Sequence, residues 1–271
     1  MKPFLKWAGG KRQLLPELLK RVPKFETYFE PFLGGGALLF DLMPKRAIIS
    51  DVNSDLICCY LAVQFQLDEL LAAIEIHRRN HSAEYFQSIR SIDRMLDRSI
   101  EDMGTVDRAA RLMYINRACF NGIWRVSKAG YCNSPFGHAK TVNFPDRSLL
   151  KQASELLKSC TILSGDYIDA VATADSSSFV YFDPPYDPVS KTASFTGYSI
   201  HGFNRCYQEQ LKNIVDRLTN RGCKVMVSNS YTDYIRDLYG DYNCVKVLAK
   251  RAINCKVDRR GSVSEILITN Y

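Results

Sequence analysis

Apolar residues follow two rhythms along this chain. Compact apolar runs at 27–32, 46–50, 160–163, 179–182, 223–227, 244–248 and 265–269 are bounded by turn residues, the pattern of short buried strands. Three-and-four spacing at 13–21, 37–43, 55–65, 67–79, 106–120 and 207–220 predicts amphipathic helices. Strand, helix and strand alternate over 27–65, and the alternation returns after 160. That order predicts an α/β fold with a mostly parallel seven-stranded sheet whose last strands run antiparallel. From about 57 to 144 the strand pattern is absent. The reading is therefore a discontinuous domain, 1–56 with 145–271, carrying an inserted helical domain at 57–144.

Composition adds a partner. The chain has 271 residues, 46% of them apolar, enough to bury a sizeable core. Its 36 Lys and Arg against 29 Asp and Glu leave a net charge of +7, a mild bias toward a polyanion. The distribution is sharper than the total. Between Arg108 and Pro145 there is no acid, while Arg108, Arg111, Arg117, Arg125, Lys128 and Lys140 alternate with Tyr114, Phe120, Trp124, Tyr131, Phe136 and Phe144. Cations interleaved with rings are the footprint of a nucleic-acid reader, although a solvated basic face explains the same stretch equally well. A second basic cluster gathers Lys246, Lys250, Arg251, Lys256, Arg259 and Arg260.

Nine cysteines with no Cys-x-x-Cys pair exclude both a disulfide framework and a Cys-rich zinc site, and suggest small buried hydrophobes in a reducing compartment. The longest apolar run, 56–63, is far below spanning length, so a cytoplasmic protein without a membrane partner is expected. His77 and His81 share a helical face but lack a third ligand; they read as surface histidines, and no metal is expected.

The candidate chemistry sits at strand ends. Gly34, Gly35 and Gly36 follow the first strand at a turn where a ligand can approach backbone N–H groups, and Asp51 closes the next strand where a ribose-binding acid belongs. Leu39 fills the third glycine position of a dinucleotide fingerprint, which favours a nucleoside ligand without phosphates. Gly9-Gly10-Lys11 is not a phosphate loop, because Arg12 stands where Ser or Thr is needed. Lys11 can instead bind a carboxylate beside an aromatic wall from Trp7. A surface lysine next to a core tryptophan explains these residues as well.

The sharpest feature is Asp183-Pro184-Pro185-Tyr186, directly after the apolar run 179–182. Open α/β sheets bind ligands at the carboxyl ends of their strands. Two prolines stiffen the turn and remove two donors, so the Asp183 carboxylate and the Pro184 carbonyl become nearly fixed acceptors. Such a pair suits a planar exocyclic amine, with Tyr186 as a stacking face. Adenine N6 and cytosine N4 both qualify, in DNA or RNA; cytosine C5 chemistry is disfavoured because no Pro-Cys dipeptide supplies a nucleophile. A DNA reader that keeps the sheet only as scaffold is the competing class.

These blocks resemble one family over nearly the whole chain. Phe4-Leu5-Lys6-Trp7-Ala8-Gly9-Gly10-Lys11, Glu30-Pro31-Phe32-Leu33-Gly34-Gly35-Gly36, Asp51-Val52-Asn53-Ser54-Asp55-Leu56-Ile57, Asn121-Gly122 with Arg125, Pro135-Phe136-Gly137, Asp183-Pro184-Pro185-Tyr186, Phe195-Thr196 with Tyr198, and Ser228-Asn229 follow in order. Together they resemble the D12-class N6-adenine DNA methyltransferases, within them the DNA adenine methylase group. The resemblance implies a class I methyltransferase fold that moves a methyl group from S-adenosylmethionine to a flipped-out adenine of duplex DNA, in GATC. It implies Trp7, Lys11, Phe32, Gly34, Gly36, Asp51, Asp166 and Asp183 as cofactor positions, with Lys11 at the methionine carboxylate, Asp51 at the ribose and Asp166 on the adenine side. Catalysis would rest on Asp183, Pro184 and Tyr186. The inserted helices would recognise the target through Lys6 and Arg125 as base readers, Ile123 at a thymine, and Phe120 with Asn121 at the opened stack. A restriction endonuclease sharing the target site without touching this chain would be a further partner.

Overall fold

The computed structural model describes residues 1–7, 9–95, 100–127, 129–189, 203–250 and 262–271. A 3-10 turn at Lys11–Gln13 leads into α1 (Leu15–Leu19), then β1 (Thr27–Glu30), α2 (Ala37–Leu42), β2 (Ala47–Asp51) and α3 (Ser54–Phe65). The helical stretch comprises α4 (Leu67–Arg79), α5 (Ala83–Ser91) and α6 (Thr105–Ala118). The chain then alternates again through α7 (Arg147–Leu157), β3 (Cys160–Ser164), α8 (Tyr167–Ala170), β4 (Ser178–Phe182), α9 (Arg205–Asn220), β5 (Lys224–Ser230), α10 (Asp233–Leu238), β6 (Asn243–Lys250) and β7 (Ser262–Thr269).

All seven strands form one sheet in the order β3-β2-β1-β4-β5-β7-β6, parallel from β3 to β5, with β7 antiparallel to both β5 and β6. The period-two rule explains why its central strands are buried on both sides. Tyr28, Phe179, Tyr181, Met226 and Leu267 point into one core, whereas Phe29, Val180, Phe182, Val225, Val227, Ile266 and Ile268 point into the other. Chain order reverses between β1 and β4, and that switch point is where a doubly wound sheet opens a crevice. Glu30 and Asp183 stand on its two sides.

The first expected helix, 13–21, is shorter than its periodicity suggests. Pro16 lacks an N–H and fits only the first turn of a helix, so the regular part starts at Leu15. The boundary expected at 56/57 falls inside α3, which packs on β2 and β3 as well as on α6 and α7. The helical stretch also shares its hydrophobic core with the sheet: Ile74, Phe86, Leu112 and Tyr114 belong to the same cluster as Phe4, Phe40 and Phe179. Among the described residues, 52–159 hold no strand, only isolated bridges at Cys119–Phe136 and Val126–Cys132.

Candidate active site

Asp183 directly follows β4 at the switch point. Its Oδ1 lies 2.8 Å from Lys11 Nζ and accepts a hydrogen bond from Ser228 Oγ at 2.9 Å. Because Ser228 spends its proton on the carboxylate, the Tyr181 hydroxyl 3.0 Å away donates to Ser228. Burial pushes the Asp183 carboxyl up, and the Lys11 ammonium and the Ser228 hydroxyl pull it back only in part. Lys11 Nζ also donates to Gly9 O at 2.9 Å and sits 4.5 Å from the centroid of the Tyr186 ring. One ring face of Tyr186 is therefore shared with the ammonium, and its hydroxyl is tied to Glu265 Oε2 at 2.9 Å.

The proline turn is braced from α9 and β5. Gln208 Nε2 donates to Pro185 O at 2.9 Å, and Asn229 Nδ2 donates to Gln208 Oε1 at 3.0 Å. Asn229 Oδ1 accepts the Asp187 N–H at 3.0 Å, and the Asp187 carboxylate accepts from Thr232 Oγ1 at 2.8 Å. Pro184 is buried behind this frame. Sequence reasoning noted Ser228-Asn229 without a role and missed Gln208 and Glu265, whose spacing from the proline turn carries no local signal.

Across the crevice, Asp51 at the end of β2 accepts the Gly34 N–H on Oδ2 and the Asn53 N–H on Oδ1, both at 2.9 Å. Burial raises its carboxyl, and these backbone donors oppose the shift. Gly34 has a φ of +49°, and a Cβ there would lie 3.0 Å from Trp7 Cδ1, so the indole rests on the glycine turn. Gly36 has a φ of +65°, and a Cβ would meet the Tyr60 hydroxyl at 3.0 Å. That hydroxyl donates to Gly34 O at 2.9 Å. Phe32 stacks on Tyr167 with centroids 5.0 Å apart, and Phe203 meets both rings edge-on. The buried Tyr167 hydroxyl has no hydrogen-bond partner, and burial lifts it to about 12. Asp166 is exposed and caps α8, its Oδ1 accepting the Ile168 N–H at 2.8 Å.

Glu30, on the β1 side of the switch point, is 3% exposed; its Oε2 accepts the Tyr28 hydroxyl at 3.0 Å and the Leu39 N–H at 3.2 Å. Burial, helped by the Asp183 charge, raises this carboxyl to about 8.

The expected DNA-reading residues divide into two groups. Lys6 is exposed, and its side chain lies over Gly122, where a Cβ would come within 3.1 Å of its Cδ. Asn116, which the sequence did not flag, joins the two: its Oδ1 accepts the Lys6 N–H, and its Nδ2 donates to Lys6 O at 2.6 Å and Gly122 O at 3.0 Å. Phe120 is 53% exposed and Asn121 holds a left-handed φ of +58°, so this short turn projects. Ile123 is buried, and Arg125 is half-buried with its N–H donating to Ser134 Oγ.

Three cations of the basic-aromatic stretch are engaged inside the fold. Arg108 pairs with Asp55 at 2.7 Å, Arg111 is 2% exposed and pairs with Asp93 at 3.1 Å, and Arg117 donates to Phe4 O at 2.6 Å. Acids absent from 108–145 arrive from α3 and from the turn after α5. Tyr114 and Trp124 are buried, leaving Phe120, Tyr131 and Lys140 outward. His77 and His81 are half-buried instead of surface residues, because α6 and the 136–140 segment pack on them. Lys246 Nζ lies 4.7 Å from the Tyr231 ring centroid. Lys128, Phe195, Thr196, Tyr198, His201, Arg251, Cys255, Lys256, Arg259 and Arg260 lie outside the described residues, as does the side chain of Lys250. Cys58, Cys59, Cys119, Cys132, Cys160 and Cys223 are buried free thiols, whereas Cys206 and Cys244 are exposed, against the expectation for all nine. Among the described residues, no group of three or more His, Cys, Asp or Glu is placed to hold a metal, and no helix is long and apolar enough to cross a membrane.

A doubly wound sheet with a glycine turn after β1, an acid after β2 and a proline-locked acid after β4 defines a class I, Rossmann-like methyltransferase. The family model of the D12 class N6 adenine-specific DNA methyltransferases matches residues 7–253, and the chain belongs to that family. It is 43% identical over 274 residues to the type II methyltransferase M1.LlaDCHI of Lactococcus lactis subsp. cremoris, covering 100% of this chain and 96% of that one. It is 41% identical over 290 residues to the type II methyltransferase M.MjaIII of Methanocaldococcus jannaschii, covering 100% and 99%. It is 34% identical over 267 residues to the DNA adenine methylase of Escherichia coli K12, covering 97% and 93%. The chain is thus an adenine-specific DNA methyltransferase.

Proposed function

We propose that the chain transfers a methyl group from S-adenosylmethionine to N6 of an adenine swung out of duplex DNA, within GATC. The observation that carries this reading is the Lys11–Asp183 pair at the carboxyl end of β4, on the same edge of the parallel sheet as the Gly34–Asp51 turn. An ammonium and a carboxylate 2.8 Å apart complement the two charged ends of an amino acid, which is how Lys11 and Asp183 fit the methionine part of the cofactor. Asp51 carries lone pairs beyond its two backbone donors for ribose hydroxyls. Phe32, Tyr167 and Phe203 form an aromatic wall beside Asp166, and the unpartnered Tyr167 hydroxyl suits a purine edge. The bound cofactor supplies an electrophilic methyl on sulfur.

The chain's own residues do the positioning. Lys11 and Ser228 both engage Oδ1 of Asp183, so Oδ2 is the oxygen for an amine N–H, with the Pro184 carbonyl accepting the other. Held by both hydrogens, the adenine nitrogen aims its lone pair; as the nitrogen–methyl bond forms and the sulfur–methyl bond breaks, the positive charge passes to the amine, the neighbouring carboxylate stabilises it, and one N–H proton leaves through that carboxylate to water. Tyr186 stacks on the base. Extrusion costs a few kcal/mol, which Phe120 and Asn121 offset by entering the opened stack. Lys6 and Arg125 read bases, Arg125 as a bidentate guanine reader, and Ile123 meets a thymine methyl through its small exposed rim. The helical stretch of 57–144 is the recognition unit, and a restriction endonuclease sharing the target is the partner that the type II names of two relatives support.

The test is product analysis on duplex DNA incubated with methyl-labelled S-adenosylmethionine. Label on adenine N6, confined to one short sequence, is expected. Label on cytosine N4, or on RNA in preference to duplex, overturns the assignment.

A further inference from the structure

His81 stands between α4 and α5, and its ring joins two distant parts of the chain. Nδ1 lies 2.9 Å from the Tyr114 hydroxyl on α6, and Nε2 lies 2.9 Å from the carbonyl oxygen of Ala139. A carbonyl only accepts, so Nε2 carries the proton; in the neutral ring Nδ1 accepts, and Tyr114 is the donor. Burial pushes the Tyr114 phenol well up, so that proton stays in place. Tyr114 is itself held from the other side: the His77 ring stacks on it with centroids 5.0 Å apart at 15°, and His77 Nδ1 contacts the Tyr85 hydroxyl at 2.8 Å. The His81 ring also packs against Phe136, 5.8 Å between centroids.

Ala139 belongs to a strap tied to the exposed Phe120 turn. The Gly137 N–H donates to Ala118 O at 2.9 Å, and a Cβ at Gly137 would lie 2.8 Å from that oxygen, so the backbones touch. One residue before Phe136, Pro135 O accepts the Phe120 N–H at 2.9 Å. Beyond Gly137 the residues His138, Ala139 and Lys140 are exposed, and His138 has a φ of +56°. The strap therefore leaves the protein surface just where His81 grips its carbonyl. His81 also helps to line a cleft of about 520 Å³ together with Arg78, Arg79 and Lys140, the two arginines each paired with Glu75 at 2.7 and 3.0 Å.

We propose that His81 is a positioning residue for duplex binding: through Nε2 it clips the 138–140 strap so that Lys140, beside Arg78 and Arg79, meets the phosphate backbone in register with the Phe120–Asn121 turn. This rests on duplex DNA being the substrate. It adds a residue that touches neither base nor cofactor yet sets how tightly the duplex is held. Loss of one such hydrogen bond typically weakens an equilibrium about five-fold.

The experiment compares wild type, His81→Phe and His81→Gln, measuring amide hydrogen exchange without DNA alongside steady-state kinetics on a duplex. His81→Phe should speed exchange at 138–141 and raise duplex KM about five-fold, with kcat and S-adenosylmethionine affinity unchanged. His81→Gln, whose amide N–H can reach the same carbonyl, should restore most of both. Unchanged exchange in His81→Phe overturns the clip, and faster exchange with wild-type KM overturns its role in binding. KM, kcat and cofactor affinity worsening together, without rescue by Gln, would reduce His81 to a packing residue. A wild-type enzyme that methylates no duplex fails the DNA reading and the binding role with it, while the exchange data still decide the clip.

Discussion

Lys11 Nζ lies 2.8 Å from Asp183 Oδ1, so the acid at the end of β4 and the first basic residue after the glycine pair at 9–10 form one charged unit across the switch point. Burial alone would favour a protonated Asp183, and Lys11 keeps it nearer to the ionised form that an amine N–H requires. Lys11→Met removes that opposing charge. At saturating cofactor, the acid limb of the kcat profile should move up by roughly a pH unit or more, with activity falling first on the acidic side. Single-turnover rates from pH 5.5 to 9 measure it, and an unmoved limb would separate Lys11 from the ionisation of Asp183.

Glu30 predicts an unusual pH dependence of stability. Below pH 4.5 its carboxyl is protonated in the folded and the unfolded chain alike. Between 4.5 and about 8 the unfolded chain releases the proton and the folded one keeps it, so stability falls as pH rises through that window. Glu30→Gln retains an oxygen for Tyr28 and Leu39 and cannot ionise. Its urea midpoint should gain on wild type steadily across the window, on the scale of roughly 1 kcal/mol per pH unit. A constant difference between the two proteins would contradict a proton held on Glu30.

Phe120 projects from a turn that Asn116 ties to Lys6, and its 53% exposure means that little folding energy rests on the ring. Phe120→Ala should leave stability within about 0.5 kcal/mol of wild type. If the ring enters the opened stack, the fluorescence gain of a 2-aminopurine at the target position should fall several-fold, and kcat/KM with it. Equal fluorescence in the two proteins would remove Phe120 from base extrusion.

How much was legible in the sequence follows from the range over which each feature is determined. The central parallel strand at 179–182 was readable because a strand buried on both faces must be apolar throughout, and Asp183-Pro184-Pro185-Tyr186 was readable because backbone stiffness and chemistry lie in adjacent residues. The cation–aromatic alternation did not show which cations the fold itself engages, because burial and charge pairing are decided in space: Asp55 and Asp93 reach Arg108 and Arg111 from other elements. The brace on the proline turn was silent for the same reason, since Gln208 and Asn229 come from a helix and a strand that meet it only after folding. His77 and His81 were placed at the surface because periodicity shows a helical face without showing what packs on it.

If the carboxylate that follows β4 orients an adenine amine for methyl transfer, its loss must show in single-turnover transfer by Asp183→Asn with both S-adenosylmethionine and duplex saturating. A rate lower by a factor on the order of 10² to 10³ is the predicted result, with binding of both ligands still measurable. Transfer at the wild-type rate would remove Asp183 from the reaction.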